Sequence, residues 1–325
     1  MKGNEPKYKL VVNYVVDGIN DGRLKKGDWL PSVNEFKNRF NLSRDTVFAG
    51  LNELKSRGII ASSAGVGYHI ISTRNPSQHN VFLLFNEFNE FKEDLYNSIM
   101  ASVSKTVSID LYFHNYNKKV FESLLKDANG KYTTYIIMPG KFEGIEPILD
   151  SLSGRVLLLD HYHNELRGKY SAVAQNFEQD TYEALDSGWD HIKKYTRILM
   201  VQHEEKEPQE RYEGLKRFCK EHKIAHAYLS SINNRKINPG DLFIVVSDRD
   251  LVYLLKQADK QQFSPGKNFG IISYNDTPLK EILAGGITTL STDFKQMGKT
   301  IASFINKKGI EVIDNPWKLN IRKSL

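Results

Sequence analysis

Carboxylates, amides and aromatic rings recur at the ends of short apolar runs between residues 80 and 280, a pattern suited to holding a polyol. Asn86-Glu87-Phe88-Asn89-Glu90-Phe91 follows the run 81–85, His114-Asn115 follows 109–113, and Asp160-His161 closes 156–159. Gln175-Asn176-Phe177, Ser247-Asp248 and Tyr274-Asn275-Asp276 follow later runs. Carboxylates and amides hydrogen-bond several hydroxyls at once, while a ring packs on the apolar face of a pyranose. Any one of these residues is equally well read as the cap of the next helix. Their recurrence at nearly every run end favours binding for the set.

Other chemistries find little support. There is no phosphate-binding Gly-rich loop, no Gly-x-Ser-x-Gly elbow and no His-Glu-x-x-His pair. Asp160-His161-Tyr162-His163 has metal-ligating types but no distant matched ligands, and His203–Glu207 reads as a solvated loop. The single cysteine, Cys219, offers neither an intrachain disulfide nor a metal set, and reads as a structural thiol. The expectation is therefore a protein that is not an enzyme and carries no cofactor.

The elements that position these residues follow from periodicity. From Val81 onward, strand-sized apolar runs alternate with helical stretches such as 92–107, 118–128, 179–195, 209–222 and 250–260. Such alternation predicts parallel sheets with right-handed crossovers. So many strands predict two doubly wound lobes, an α/β arrangement with a ligand cleft between them at the strand carboxyl ends. No run is long enough to cross a bilayer. The polar N-terminus lacks the apolar core of a secretory signal, so a cytoplasmic location and no membrane partner are expected.

The first seventy residues have a different texture. Tyr8, Val11, Val12, Val15 and Ile19 trace one helical face, and Ser32 with Glu35 forms a capping-box pattern. Ser43 can cap a further helix with Val47, Leu51 and Leu54 inward. Gly58 stops it, and two short apolar runs flank Gly65 and Gly67 as a hairpin. Three helices and a hairpin predict a winged helix-turn-helix (α+β), whose third helix would meet base edges in the major groove. Charge agrees: residues 1–71 hold 11 Lys/Arg against 7 Asp/Glu, whereas the remainder holds 34 against 32. That imbalance suits a polyanion.

The blocks Gly22-x4-Gly27-Asp28-x-Leu30-Pro31-Ser32, Leu42-Ser43-Arg44-x-Thr46-Val47, Leu51-x2-Leu54-x3-Gly58-Ile59-Ile60 and Gly65-x-Gly67-Tyr68 resemble the GntR family of transcriptional regulators. The resemblance implies that Ser32 contacts a phosphate, that Arg44 and Thr46 contact DNA, and that Gly65 and Gly67 approach the minor groove. Ser43 and Asp45 flank Arg44 on the recognition helix, and Asn34 stands where many relatives carry arginine. Phe48 stands where some carry a second one.

Residues 80–325 are similar to the effector domain of LacI/GalR repressors, strongest at Gly270–Leu279, Ile287–Leu290 and Met297-Gly298-x2-Ile301-Ala302. By position the resemblance implies ligand contacts at Asn89, Phe91, Asp160, Gln175, Arg211, Asp248 and Asn275. The combined architecture is similar to that of arabinose repressors. It implies a double-stranded DNA operator, a homodimer, and a monosaccharide effector such as arabinose or a related pentose or deoxyhexose. The absence of a Lys/Arg cluster favours a free sugar over a phosphorylated one.

The expected boundaries are a reader at 1–71, a connector at 72–79 and an effector domain at 80–325. Lobe one would take about 80–173 plus 292–316, and lobe two about 174–291 plus 317–325. The alternatives are a solute-binding module or a sugar-acting enzyme with a DNA-binding appendage.

Overall fold

The computed structural model describes residues 6–73, 79–166, 168–232, 235–307 and 309–325. The N-terminal domain starts with α1 (Lys9–Asn20), which buries Val11, Val12, Val15 and Ile19 on one face. Ser32 opens α2 (Val33–Phe40) with a complete capping box: its Oγ accepts from the Glu35 amide at 3.2 Å, and the Glu35 carboxylate accepts from the Ser32 amide at 2.7 Å. Asn41, at φ 51°, turns the chain into α3 (Arg44–Ser56), capped by Ser43.

Helix α3 packs closely on α1. A Cβ on Gly50 would sit 2.8 Å from the Tyr8 carbonyl oxygen, so only glycine permits this approach. Strands β1 (Ile60–Ser63) and β2 (Gly67–Ile70) pair antiparallel, with Gly65 and Gly67 at positive φ in the tip. The winged helix-turn-helix expected from the sequence is formed. Of the connector at 72–79, residues 74–78 lie outside the described residues.

The rest of the chain builds two six-stranded sheets. The first contains β3 (His79–Phe85), β4 (Val107–Phe113), β5 (Thr134–Ile137), β6 (Arg155–Asp160), β7 (Ser171–Ala174) and β13 (Val312–Asp314), in the order β13-β7-β6-β5-β3-β4. All its pairings are parallel. One face packs on α4 (Glu90–Ser102) and α12 (Phe294–Phe304), the other on α5 (Lys118–Ala128) and α6 (Glu146–Asp150). Covered on both faces, strands such as Val81–Phe85 are apolar throughout rather than alternating.

The second sheet repeats that order as β14-β12-β11-β10-β8-β9. Its members are β8 (Arg197–Val201), β9 (Ala225–Leu229), β10 (Asp241–Val245), β11 (Gly270–Tyr274), β12 (Thr288–Thr292) and β14 (Trp317–Asn320). Helices α7 (Phe177–Ser187), α8 (Trp189–Ile192) and α9 (Glu210–His222) cover one face, and α10 (Asp248–Lys260) the other. Strand β14 runs antiparallel to β12, the one departure from the all-parallel expectation. It re-enters from the first lobe through a short link at Asn315-Pro316 and so meets the sheet edge reversed.

Two helices differ from the periodicity reading. The stretch 92–107 leaves the helix after Ser102, because Val107 pairs with His79 in the first sheet. The stretch 179–195 breaks at Gly188, where a Cβ would meet Leu319 at 2.8 Å. Cys219 is buried, which pushes its thiol up to about 12. Among the described residues no helix is long and apolar enough to cross a membrane.

Candidate functional site

In each sheet the chain runs outward to one side, then returns to the other side of its first strand. The switch points therefore lie between β3 and β5 in lobe one, and between β8 and β10 in lobe two. The carboxyl ends of these strands face one another across a cleft of about 1060 Å³. The chain crosses between lobes at Gln175-Asn176, at Asp293 and at Asn315-Pro316. Buried Asn315 ties these crossings together: its amide donates to the Ala174 carbonyl at 2.7 Å and its Nδ2 to the Asp293 carbonyl at 3.1 Å.

All seven residues proposed for the ligand line this cleft. On the lobe-one side, Asn89 caps α4, its Oδ1 accepting from the Lys92 amide at 3.1 Å, so it serves a structural role while facing the cleft. One residue into α4, Phe91 stacks on Phe294 with ring centroids 5.2 Å apart, giving an apolar platform. Asp160 ends β6 at φ 74° and accepts from the Gln175 side-chain amide.

On the lobe-two side, Arg211 in the first turn of α9 lies 4.4 Å from the Tyr274 ring centroid and 5.0 Å from that of Phe177. It pairs with Glu207, while its buried Nε has no partner among the described residues. Burial opposes its charge, but Glu207, together with Tyr274 and Asp160, outweighs that and raises its pKa. Tyr274 is itself pushed by burial up to about 12. Asp248 pairs at 2.8 Å with buried Lys280, which also donates to the Tyr274 and Asn275 carbonyls at 2.8 Å each. The positive φ of 60° at Asn275 accompanies that bend.

Not every strand-end group joins the site. His114 is fully buried, its Nε2–H donating to the Met138 carbonyl at 3.0 Å and its ring packing on Phe121. Asp276 is committed to Arg322 at 2.7 Å. His161 and His163 both contact the Gly140 carbonyl, and among the described residues no His/Cys/Asp/Glu group is arranged to hold a metal.

The cleft also holds residues that sequence reasoning missed. Lys92 is buried, its Nζ 3.8 Å from Asp160 Oδ2 and 3.2 Å from the Met138 sulfur. Lys141, Lys206 and Arg249 also line the space. These cations come from separate elements, so no sequence cluster announces them. They are offset by Glu87, Asp160, Glu204, Glu205, Glu207, Asp248 and Asp250 in the same lining. Interleaved donors and acceptors with an aromatic platform suit a neutral polyol better than an isolated anion.

Polar contacts among the described residues bridge the lobes at the cleft mouth. Lys141 donates to the Glu204 carbonyl, Lys206 reaches Glu87 at 3.4 Å, and His161 Nε2 reaches Glu210 Oε1 at 3.0 Å. Burial opposes protonation of His161, but Glu210 outweighs it and raises the imidazole pKa; the same hydrogen bond holds Glu210 down at about 2.

At the other end of the chain, Ser32, Asn34, Ser43, Arg44, Asp45 and Gly65 are exposed, and Thr46 and Gly67 partly so. The Ser43 hydroxyl accepts from the Thr46 amide at 3.2 Å and shares a 2.7 Å hydrogen bond with the Thr46 hydroxyl. This fixes the first turn of α3, where free amides and the helix dipole favour an anion. Residues 7–70 match the model of bacterial regulatory proteins of the gntR family.

The N-terminal domain is a GntR-type helix-turn-helix.

The GntR domain is 32% identical over 72 residues to the mannosyl-D-glycerate transport/metabolism system repressor MngR of Escherichia coli, covering 22% of this chain and 30% of that protein. It is 31% identical over 67 residues to the HTH-type transcriptional regulator YdfD of Bacillus subtilis, covering 21% and 14%. The chain thus spans less than a third of the curated relatives it matches.

Residues 191–308 match a periplasmic binding protein-like domain. A LacI family transcriptional regulator from Silicibacter pomeroyi shares the fold behind the GntR domain, with TM-score 0.65 and 15% identity over 76% of this chain and 98% of that one. A periplasmic binding protein/LacI transcriptional regulator from Alkaliphilus metalliredigens, complexed with D-xylulofuranose, aligns with TM-score 0.59 and 14% identity over 76% and 99%.

Proposed function

We propose that the chain is a sequence-specific DNA-binding transcriptional regulator, acting as a repressor of carbohydrate-utilisation genes and controlled by a monosaccharide bound between the two lobes. The observation that carries this reading is the joining, in one chain, of a GntR domain to a cleft where Asn89, Phe91, Asp160, Gln175, Arg211, Asp248 and Asn275 converge. Phe91 on Phe294 would pack against the sugar ring, Asp160 and Asp248 would accept from hydroxyls, and Gln175, Asn275 and Arg211 would donate. Free pentoses and deoxyhexoses, arabinose among them, are the first candidates.

The protein acts as a cytoplasmic homodimer on this reading, since two half-sites give discrimination that one winged helix lacks. The domains divide at 71, 79 and the three lobe crossings. Ligand closes the lobes and changes how the two GntR domains are held. What supports this reading is that Asn80 Nδ2 donates to the Arg57 carbonyl, just past α3, at 2.9 Å, and that Asn80 lies near the start of β3, whose far end leads to the cleft-lining Asn86 and Glu87. Coupling of ~1–3 kcal/mol would change operator affinity by about 5–150-fold.

The test is a thermal-shift screen of the full-length protein against free and phosphorylated monosaccharides, followed by operator titration with the hit. A stereospecific rise in Tm is expected, because a ligand bound only to the folded state stabilises it by mass action. No rise with any sugar would remove the sensor reading. Equal operator affinity with and without saturating sugar would remove the allosteric one.

A further inference from the structure

We propose that Phe48, on the exposed arc of α3, reads the C5-methyl group of a thymine in the major groove, beside a guanine engaged by Arg44. The proposal rests on the DNA-binding reading above and names what that surface recognises. At 100° per residue, the buried Val47, Gly50, Leu51 and Leu54 fall on one side of α3. Arg44, Asp45, Asn52 and Lys55 fall on the other and are exposed. Phe48 lies inside the polar arc. It is partly exposed, and it is not among the side chains packed against the domain's apolar core.

The Arg44 guanidinium lies over its ring, 5.7 Å from the centroid and one helical turn earlier. Among the described residues no carboxylate pairs with Arg44, although Asp45 is its neighbour. Set in a charged arc and only partly covered, the ring leaves apolar surface open to a contact beyond the domain. The surrounding domain carries 11 Lys/Arg against 7 Asp/Glu, which favours a polyanion over an apolar protein partner.

A phenyl group has no donor or acceptor and is blind to most of the major-groove code. The thymine C5-methyl is the one apolar group displayed there, whereas guanine O6 and N7 match a guanidinium. Four residues of helix rise about 6 Å, which is under two base-pair steps of about 3.4 Å. The guanine and the thymine therefore lie within two steps of each other. The guanidinium and the ring lie side by side, so the two contacts form one reading unit.

The experiment starts by selecting preferred duplexes from a randomised DNA library with the full-length protein. Each thymine of the recovered site is then replaced by deoxyuridine, which removes the methyl group and nothing else. Binding weakens about 3- to 5-fold at one thymine of each half-site, the size expected for one buried methyl, and a guanine stands within two steps of it. Phe48→Ala equalises thymine and uracil there, while Phe48→Leu retains part of the difference. Indifference of the wild-type protein to every uracil would overturn the proposal. So would a Phe48→Ala protein that keeps the full thymine preference. Recovery of no preferred duplex at all would instead overturn the DNA-binding reading on which it stands.

Discussion

In the GntR domain, Ser43, Arg44, Asp45 and Thr46 are consecutive, lie on one helical turn and point largely into solvent. In the cleft, Asn89, Asp160, Arg211 and Asn275 come from the ends of different elements in two lobes and are drawn toward one space. The first surface is convex and local, suited to a rigid groove whose shape already exists. The second is concave and non-local, and it exists only when both sheets have folded and face each other. A substitution in the first should therefore alter binding and leave stability alone. One in the second should alter both.

The largest expected effect tests the cleft. Arg211→Ala removes a buried guanidinium from between two rings and leaves Glu207 without its partner. Stripping one member of a buried pair costs about 3–5 kcal/mol, so chemical denaturation should show a loss of that size together with weakened sugar binding. Unchanged stability would mean that Arg211 is only a ligand contact.

Next comes Gly50→Ala. Its Cβ would lie 2.8 Å from the Tyr8 carbonyl, and overpacking of this kind costs about 1–3 kcal/mol. Calorimetry should show the GntR domain melting earlier while the lobes melt as before. A uniform shift of both would show that the domains unfold as one unit rather than as a local and a non-local structure.

A smaller effect belongs to Arg44→Ala. Specific operator affinity should fall by about 1–3 kcal/mol if the side chain reads a base, with Tm unmoved. Titration against specific and random duplexes checks it, and an equal loss on both would reduce Arg44 to a phosphate contact.

The smallest concerns the His161–Glu210 bridge between the lobes. The folded-state pKa of His161 is raised, so its contribution is full below the ordinary value of 6.5 and is lost as pH rises through the raised value. Glu210 is lowered, so its contribution is full above the ordinary 4.5 and is lost as pH falls towards about 2. The bridge is thus strongest between those ordinary values, worth about 0.5 kcal/mol because Glu210 is half exposed. His161→Gln should flatten the fall in stability from pH 6 to 8; an unaltered slope would show that the bridge carries none of it.

The winged helix-turn-helix was legible because its signals are local. The Ser32–Glu35 capping box, the Ser43 cap and the two wing glycines each act within a few residues, and periodicity alone selects the buried faces. Alternating runs likewise gave two parallel-sheet lobes, and the strand-end rule pointed to a cleft. The stretch 92–107 misled because Val103 and Val107 keep helical spacing while Val107 belongs to a strand. His114 misled because a polar strand end can turn into the core as easily as into the cleft.

What the sequence determined by itself is the set of local structures and the face each one buries, since hydrogen bonds and side-chain spacing of three to four residues, or two, decide them. What the tertiary structure alone decided is which distant groups meet. Lys92 beside Asp160, Lys280 under Asp248, His161 against Glu210 and Asn315 across the three crossings all join residues from separate elements. No spacing encodes such meetings, because strand order and lobe approach are settled by burial of whole sheet faces rather than by neighbours in the chain.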